Sequence, residues 1–132
     1  MLEMLMTGTT TFCDMYWFED DIAQVTADAG MRAILGQTII DFPMPDAATP
    51  EIGLNRTKAF FENWIDHPLI TAASSPHAPY TVATQYLNDA AALAREYGNP
   101  ILIHMAETQT EVDTIQVRII TFYYSIELDW RK

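Results

Sequence analysis

The sequence has one cysteine, few basic residues and no long apolar run, and each of these features excludes a kind of structure or partner. The single Cys13 excludes an internal disulfide and a cysteine-based metal cluster, and it is consistent with a reducing, cytoplasmic environment. The sequence has seven Lys and Arg residues and 18 Asp and Glu residues, which gives a net charge of −11. Neither nucleic acid nor an anionic membrane surface is therefore an expected partner. No apolar stretch approaches the ~20 residues of a membrane-spanning helix, and the N-terminus lacks the basic region of a signal peptide.

Segments with strand and helix patterns alternate along the 132 residues, of which 49% are hydrophobic and 19% charged. This balance is typical of one folded domain with a substantial core. The turn signals are Gly30, Gly98 and a proline-rich loop at residues 42–50. The predicted strands are residues 8–15, 31–40, 69–75 and 101–104, and the predicted helices are 19–29, 51–66, 84–97 and one opening at the Thr108–Glu111 capping box.

This alternation predicts an α/β fold of about four parallel βα units joined by right-handed crossovers. A complete (β/α)8 barrel takes about 250 residues, so four units amount to half of a TIM barrel. The alternative is a small doubly wound sheet. That fold normally carries a glycine-rich phosphate loop after its first strand, and the sequence contains no such loop.

Two of the predicted strands end in a histidine beside turn residues. His104 closes the run that begins at Ile101, with Glu107 three residues later, and His77 follows the third strand after Pro76. The carboxyl ends of parallel strands meet at one edge of a sheet, so we expect these side chains to share a site. His67 precedes the third strand and is expected at the opposite edge.

Three motifs resemble those of amidohydrolase-superfamily metalloenzymes. They are residues 6–16, 75–81 and 103–108, and they occur in the order and spacing of methylthioadenosine/S-adenosylhomocysteine deaminases and related chlorohydrolases. The resemblance covers residues 1–116, and it implies strands 2 to 5 of a (β/α)8 barrel. Residues 117–132 depart from it. We therefore expect a partial barrel at 1–116 and an atypical C-terminal tail at 117–132, which a frameshift or a misjudged gene end would explain.

The resemblance also implies roles for the residues at the predicted site. By position, His104 matches the metal ligand of strand 5, Glu107 the proton shuttle and His77 a substrate contact. The implied cofactor is zinc or another divalent metal, and the implied reaction is hydrolytic deamination of an adenosine-type nucleoside by metal-bound hydroxide. The structural alternatives are a histidine that shapes a turn between prolines and a glutamate that is an ordinary acid in the first turn of a helix.

Most of the metal ligands that the family uses have no counterpart in this sequence. There is no His-x-His motif, and His67 is the only other histidine. We therefore expect the chain alone to be inactive and not to retain zinc, because tight sites need three or four protein ligands. Two interpretations remain: part of a metal-dependent deaminase, or a non-catalytic half-barrel or subunit that needs a complementing partner. Open sheet edges in either case predict self-association.

Overall fold

Strands and helices alternate along residues 1–116, which are the residues described by the computed structural model. The predicted tail at 117–132 lies outside the described residues. The elements are α1 (Leu2–Met6), β1 (Thr11–Tyr16), α2 (Glu19–Asp28), β2 (Arg32–Ile39), α3 (Pro50–Trp64), β3 (Ile70–Pro76) and α4 (Thr84–Tyr97). Residues 109–116 are also helical. Within the described part of the chain, no helix is long and apolar enough to cross a membrane.

The sheet has three strands in the order β1-β2-β3, and both pairings are parallel. The register places Ile34 beside both Cys13 and Thr71. Helices pack on one face of the sheet, where Leu35 meets Phe60 and Phe61 in the buried core. The prediction of an α/β fold with parallel βα units is confirmed.

Local signals define the ends of the helices. Thr49 caps α3, because its Oγ1 accepts a hydrogen bond from the Ile52 amide at 3.4 Å, and Pro50 occupies the first helical turn. Helix α4 has the predicted bounds and ends at Gly98, whose φ of 70° is readily adopted by glycine. The short helix α1 was not predicted, although Leu, Met and Glu favour helices.

The prediction of a regular fourth strand at residues 101–104 is wrong. Among the described residues, its one β-bridge pairs Ser74 with Ile101, although the Leu102 amide also donates to the Ser74 carbonyl at 3.0 Å. The next bond of a parallel ladder would come from the amide of residue 76, and Pro76 has no N–H. The His104 amide then bonds the His77 carbonyl at 3.0 Å instead. The segment runs beside β3 but leaves the ladder just before the histidines.

The free edge of β1 predicts self-association of the chain. Among the described residues, β1 has β2 as its only strand neighbour, so the other edge of β1 leaves backbone groups unpaired. We expect size-exclusion chromatography with light scattering to show oligomers. The variant Thr11→Lys, which places a lysine on this edge, should shift the distribution toward monomer. Gln24→Lys, which makes the same charge change on exposed α2, is the control. A wild-type monomer at all concentrations would contradict the prediction.

Candidate functional site

His77 and His104 lie side by side where β3 and the neighbouring segment end. Their ring centroids are 5.2 Å apart and the ring planes meet at 76°. His67 lies at the start of β3, where its Nδ1 accepts hydrogen bonds from the Leu69 and Ile70 amides at 3.3 and 3.2 Å. The predicted placement of His77 and His104 at one edge and His67 at the other is confirmed.

The ring of His77 is held by a hydrogen bond, and its surroundings favour the neutral form. Its Nδ1 lies 2.8 Å from Thr81 Oγ1. Burial lowers the pKa of His77 below its usual value, the nearby His104 lowers it further, and Glu107 acts in the opposite direction. Burial thus favours the neutral imidazole, the form that can accept as well as donate a hydrogen bond.

Glu107 lies at the same edge, linked to the His77 loop through Tyr80. The Tyr80 hydroxyl donates to Glu107 Oε2 at 2.8 Å, and this hydrogen bond raises the pKa of the phenol. The Tyr80 ring centroid is 6.5 Å from that of His77. Sequence reasoning did not assign Tyr80 to the site, although it belongs to the 75–81 motif. The structure thus brings all three predicted residues to one edge and adds a tyrosine.

The turn that carries Glu107 is fastened by Glu111. The Glu111 side chain is nearly buried, and its two carboxylate oxygens accept from the amides of Ala106 at 3.1 Å and Glu107 at 2.7 Å. Ala106 has a φ of 57°, a strained value for a residue other than glycine. Thr108 Oγ1 accepts from the Glu111 amide at 3.1 Å. Half of the predicted capping box therefore forms: Thr108 caps the helix, but the Glu111 carboxylate bonds the two amides before the cap instead of the amide of Thr108.

A cavity of about 340 Å³ opens beside the two histidines. Its wall is mostly apolar and aromatic, with the imidazoles as convergent polar groups, which is typical of sites for small organic ligands. Its walls come from the loop after β1, from the end of β2 and from the proline-rich loop. The lining residues are Met15, Tyr16, Trp17, Thr38, Ile40, Phe42, Pro43, Met44, His77 and His104.

The described residues do not fit a zinc site by themselves. Catalytic zinc has three protein ligands as a rule. Across residues 1–116, no three His, Cys, Asp or Glu side chains are grouped so that they could hold a metal ion. Of the residues at this edge, only His104 has the predicted role of a metal ligand, and the other ligands would have to come from elsewhere.

A sequence model of the Amidohydrolase family matches residues 1–123. The chain belongs to the amidohydrolase family. It is 42% identical over 117 residues to the 5-methylthioadenosine/S-adenosylhomocysteine deaminase 1 of Syntrophus aciditrophicus (strain SB), covering 89% of this chain and 26% of the relative. It is 43% identical over 116 residues to the 5-methylthioadenosine/S-adenosylhomocysteine deaminase of Aquifex aeolicus (strain VF5), covering 88% of this chain and 27% of the relative. This amidohydrolase chain thus spans about a quarter of the length of these relatives.

A solved structure is similar over the same part of the chain. The crystal structure of an adenosine deaminase from Xanthomonas campestris with bound zinc superposes with a TM-score of 0.82 and 38% identity. The match covers 85% of this chain and 26% of that one. The predicted partial (β/α)8 barrel is confirmed. The boundary predicted at residue 116 stays a prediction, and the family match continues to residue 123.

Proposed function

We propose that this amidohydrolase chain provides the substrate-contacting and proton-transferring part of a nucleoside deaminase site. The observation that carries the proposal is the convergence of His77, His104 and Glu107 at one edge of a parallel sheet, in a chain 42% identical to a named deaminase. The proposed reaction is hydrolytic deamination of an adenosine-type nucleoside, with 5′-methylthioadenosine and S-adenosylhomocysteine as substrates.

In this proposal His77 binds the purine. A neutral imidazole can donate to or accept from a ring nitrogen, and the bond to Thr81 leaves Nε2 as the ring nitrogen for that contact. The apolar cavity beside it, lined by Trp17 and Met44 among others, has room for a purine and a thioether substituent. The exposed His104, next to His77, has the role of a metal ligand contributed to a site that other residues complete.

Glu107 moves the proton. Its exposed carboxylate takes one proton from the water that bonds to C6 of the purine and passes this proton to ring nitrogen N1, as a general base and then acid. It then takes the second proton from the new C6 hydroxyl and passes it to the amino group, so that the C6–N bond breaks, ammonia leaves and the C6 carbonyl forms. Tyr80 holds Oε2, and Glu111 holds the backbone of the same turn. These contacts hold Glu107 at the edge of the sheet that carries His77, close enough to affect the pKa of that imidazole.

The absence of a three-ligand group within residues 1–116 favours a second candidate, a half-barrel that has no catalysis of its own. It predicts that the purified 132-residue chain releases no ammonia from 5′-methylthioadenosine and holds no stoichiometric zinc after dialysis. An ammonia assay and elemental analysis measure both. One tightly held zinc per chain, or clear turnover, would refute this candidate.

A chimera separates the two candidates. Residues 1–116 replace the matching segment of the Syntrophus aciditrophicus relative, whose remaining three quarters supply the rest of the barrel. If this segment retains its part of the site, the chimera should release ammonia from 5′-methylthioadenosine. The parent relative, expressed in parallel, is the positive control. A folded, zinc-loaded chimera without turnover would refute the proposed deaminase role and leave the non-catalytic half-barrel.

A further inference from the structure

The aromatic loop, residues 16–18, comprises the last residue of β1 and the two residues before α2, and it is held by Glu19. This side chain is fully buried, and its Oε1 accepts a hydrogen bond from the Tyr16 amide at 2.7 Å. Its other oxygen, Oε2, has no hydrogen-bond partner and is also buried. Phe18 lies between Tyr16 and Glu19 in the sequence and has a left-handed φ of 58°. A buried carboxyl thus holds a strained turn, and neither proposed role of the site uses it.

Asp46 of the proline-rich loop holds the same aromatic loop from the other side. Its Oδ2 accepts from the Phe18 amide at 2.9 Å and from Gln37 Nε2 at 3.1 Å, and it lies 3.3 Å from Arg56 Nε. The Asp46 side chain is 1% exposed, and its Oδ1 lacks a hydrogen-bond partner. One carboxylate therefore joins the aromatic loop, the proline-rich loop, β2 and α3.

These two carboxyls accept hydrogen bonds from the aromatic loop, which contributes residues to the wall of the cavity beside the histidines. Tyr16 and Trp17 form one side of that wall, and Pro43 and Met44 of the proline-rich loop form another. We propose that Glu19 and Asp46 form a latch that docks the aromatic loop against the proline-rich loop and so positions the cavity wall. The latch concerns the shape of this chain, and it holds whether or not the cavity takes a nucleoside.

The charges around Glu19 make the latch sensitive to pH. Asp14 on β1, Asp20 on α2 and Asp46 all face Glu19, and the nearby Arg56 of α3 is paired with Asp46. Burial, reinforced by these carboxylates, raises the pKa of Glu19 to about 8, while the Tyr16 amide opposes the rise. Glu19 is therefore mostly neutral at pH 7.

Ionisation of Glu19 weakens the latch. Above pH 8 Glu19 carries a negative charge close to that of Asp46. Both carboxylates are buried, and among the described residues no cation other than Arg56 is paired with them. The raised pKa means that the folded state holds this proton more tightly than the unfolded state does. The contribution of the neutral carboxyl to stability is thus complete below its ordinary pKa of 4.5 and lost as the pH rises through about 8. The aromatic loop should therefore be held less firmly as the pH rises through about 8.

Fluorine NMR of the full chain labelled with 5-fluorotryptophan tests the latch without any substrate. The sequence has three tryptophans, and Trp17→Phe assigns the resonance of interest. We expect the Trp17 resonance to shift with a midpoint near pH 8 and to stop titrating in Glu19→Gln, which keeps the acceptor for Tyr16 and cannot ionise. Asp21→Asn, an exposed acid on the same helix, is the control that should titrate like wild type.

Asp46→Asn tests the other half of the latch. This variant keeps the shape of the side chain and removes the charge that attracts Arg56, so the Trp17 resonance should already be displaced at pH 7. A Trp17 titration that persists in Glu19→Gln, or a Trp17 signal unchanged by Asp46→Asn, would overturn the latch. Should Glu19→Gln fail to fold by circular dichroism, the Asp46→Asn result decides. None of these readouts depends on deaminase activity, so a failed chimera leaves this test intact.

Discussion

Glu107→Gln in the chimera should reduce deamination of 5′-methylthioadenosine by about 10²–10⁴-fold, the usual contribution of a positioned general acid or base. Glutamine preserves the shape of the side chain and can still accept from Tyr80, but it cannot carry a proton. The loss should appear mainly in kcat, because the change leaves the cavity wall intact. Steady-state ammonia release, with zinc content measured on the same samples, gives the comparison.

Two further variants make this result specific. Glu96→Gln on α4 removes an equally exposed carboxylate away from the histidines and should leave kcat unchanged. Tyr80→Phe removes the hydroxyl that holds Glu107 and should cost less than Glu107→Gln, since the proton carrier remains. Equal activity of Glu107→Gln and the unmodified chimera would remove Glu107 from the mechanism and leave it as a first-turn acid.

Gly36→Ala should destabilise the fold by more than about 3 kcal/mol, at the upper end of what overpacking a core costs. A Cβ on Gly36 would overlap Ser75 Oγ and lie 2.7 Å from Ser75 Cβ. Gly36 and Ser75 belong to β2 and β3, which are hydrogen-bonded in a fixed register, so neither backbone can move aside easily. Urea unfolding followed by circular dichroism measures the loss.

The matched control is Gly53→Ala in α3. Its Cβ would lie 3.3 Å from the Thr38 carbonyl oxygen, a tight contact that the higher helix propensity of alanine, about 1 kcal/mol, partly offsets. Adding Ser75→Gly to Gly36→Ala removes the clashing atoms and should recover much of the lost stability, as a positive coupling in a double-mutant cycle. Additive effects of the two changes would mean that β2 and β3 do not pair in the described register.

Local patterns were sufficient to predict helices α2 to α4 and to place His77 and His104 together. Helix α4 has the predicted bounds, 84–97, because its alanine-rich run and Gly98 define both its body and its end. His77 and His104 could be placed together because each follows a predicted strand, and parallel strands end at the same edge. Periodicity and turn residues act over a few positions, so they can be recognised in one sequence.

Contacts between distant segments could not be predicted in this way. The fourth strand loses its ladder because Pro76, some 25 residues before it, lacks an amide hydrogen at the position where the pairing needs one. The hydrogen bond from Tyr80 to Glu107 spans 27 positions, and that from Phe18 to Asp46 spans 28. No periodic signal indicates such partners, because they depend on how loops at the same edge of the sheet approach one another.

The sequence by itself therefore determined the family, through motifs that resemble it, and the parallel βα order, through local periodicity. The roles of the candidate site residues, which the resemblance implies, stay predictions. Only the tertiary structure decided which groups surround that site. Burial of Glu19 beside Asp46, which makes an ordinary first-turn acid mostly neutral at pH 7, arises when two loops and a helix exclude water from one carboxyl. The Gly36–Ser75 contact likewise exists only once two strands have fixed their register. The exclusion of water and the strand register both depend on how segments pack against one another. They therefore cannot be predicted from the residue order of a single segment.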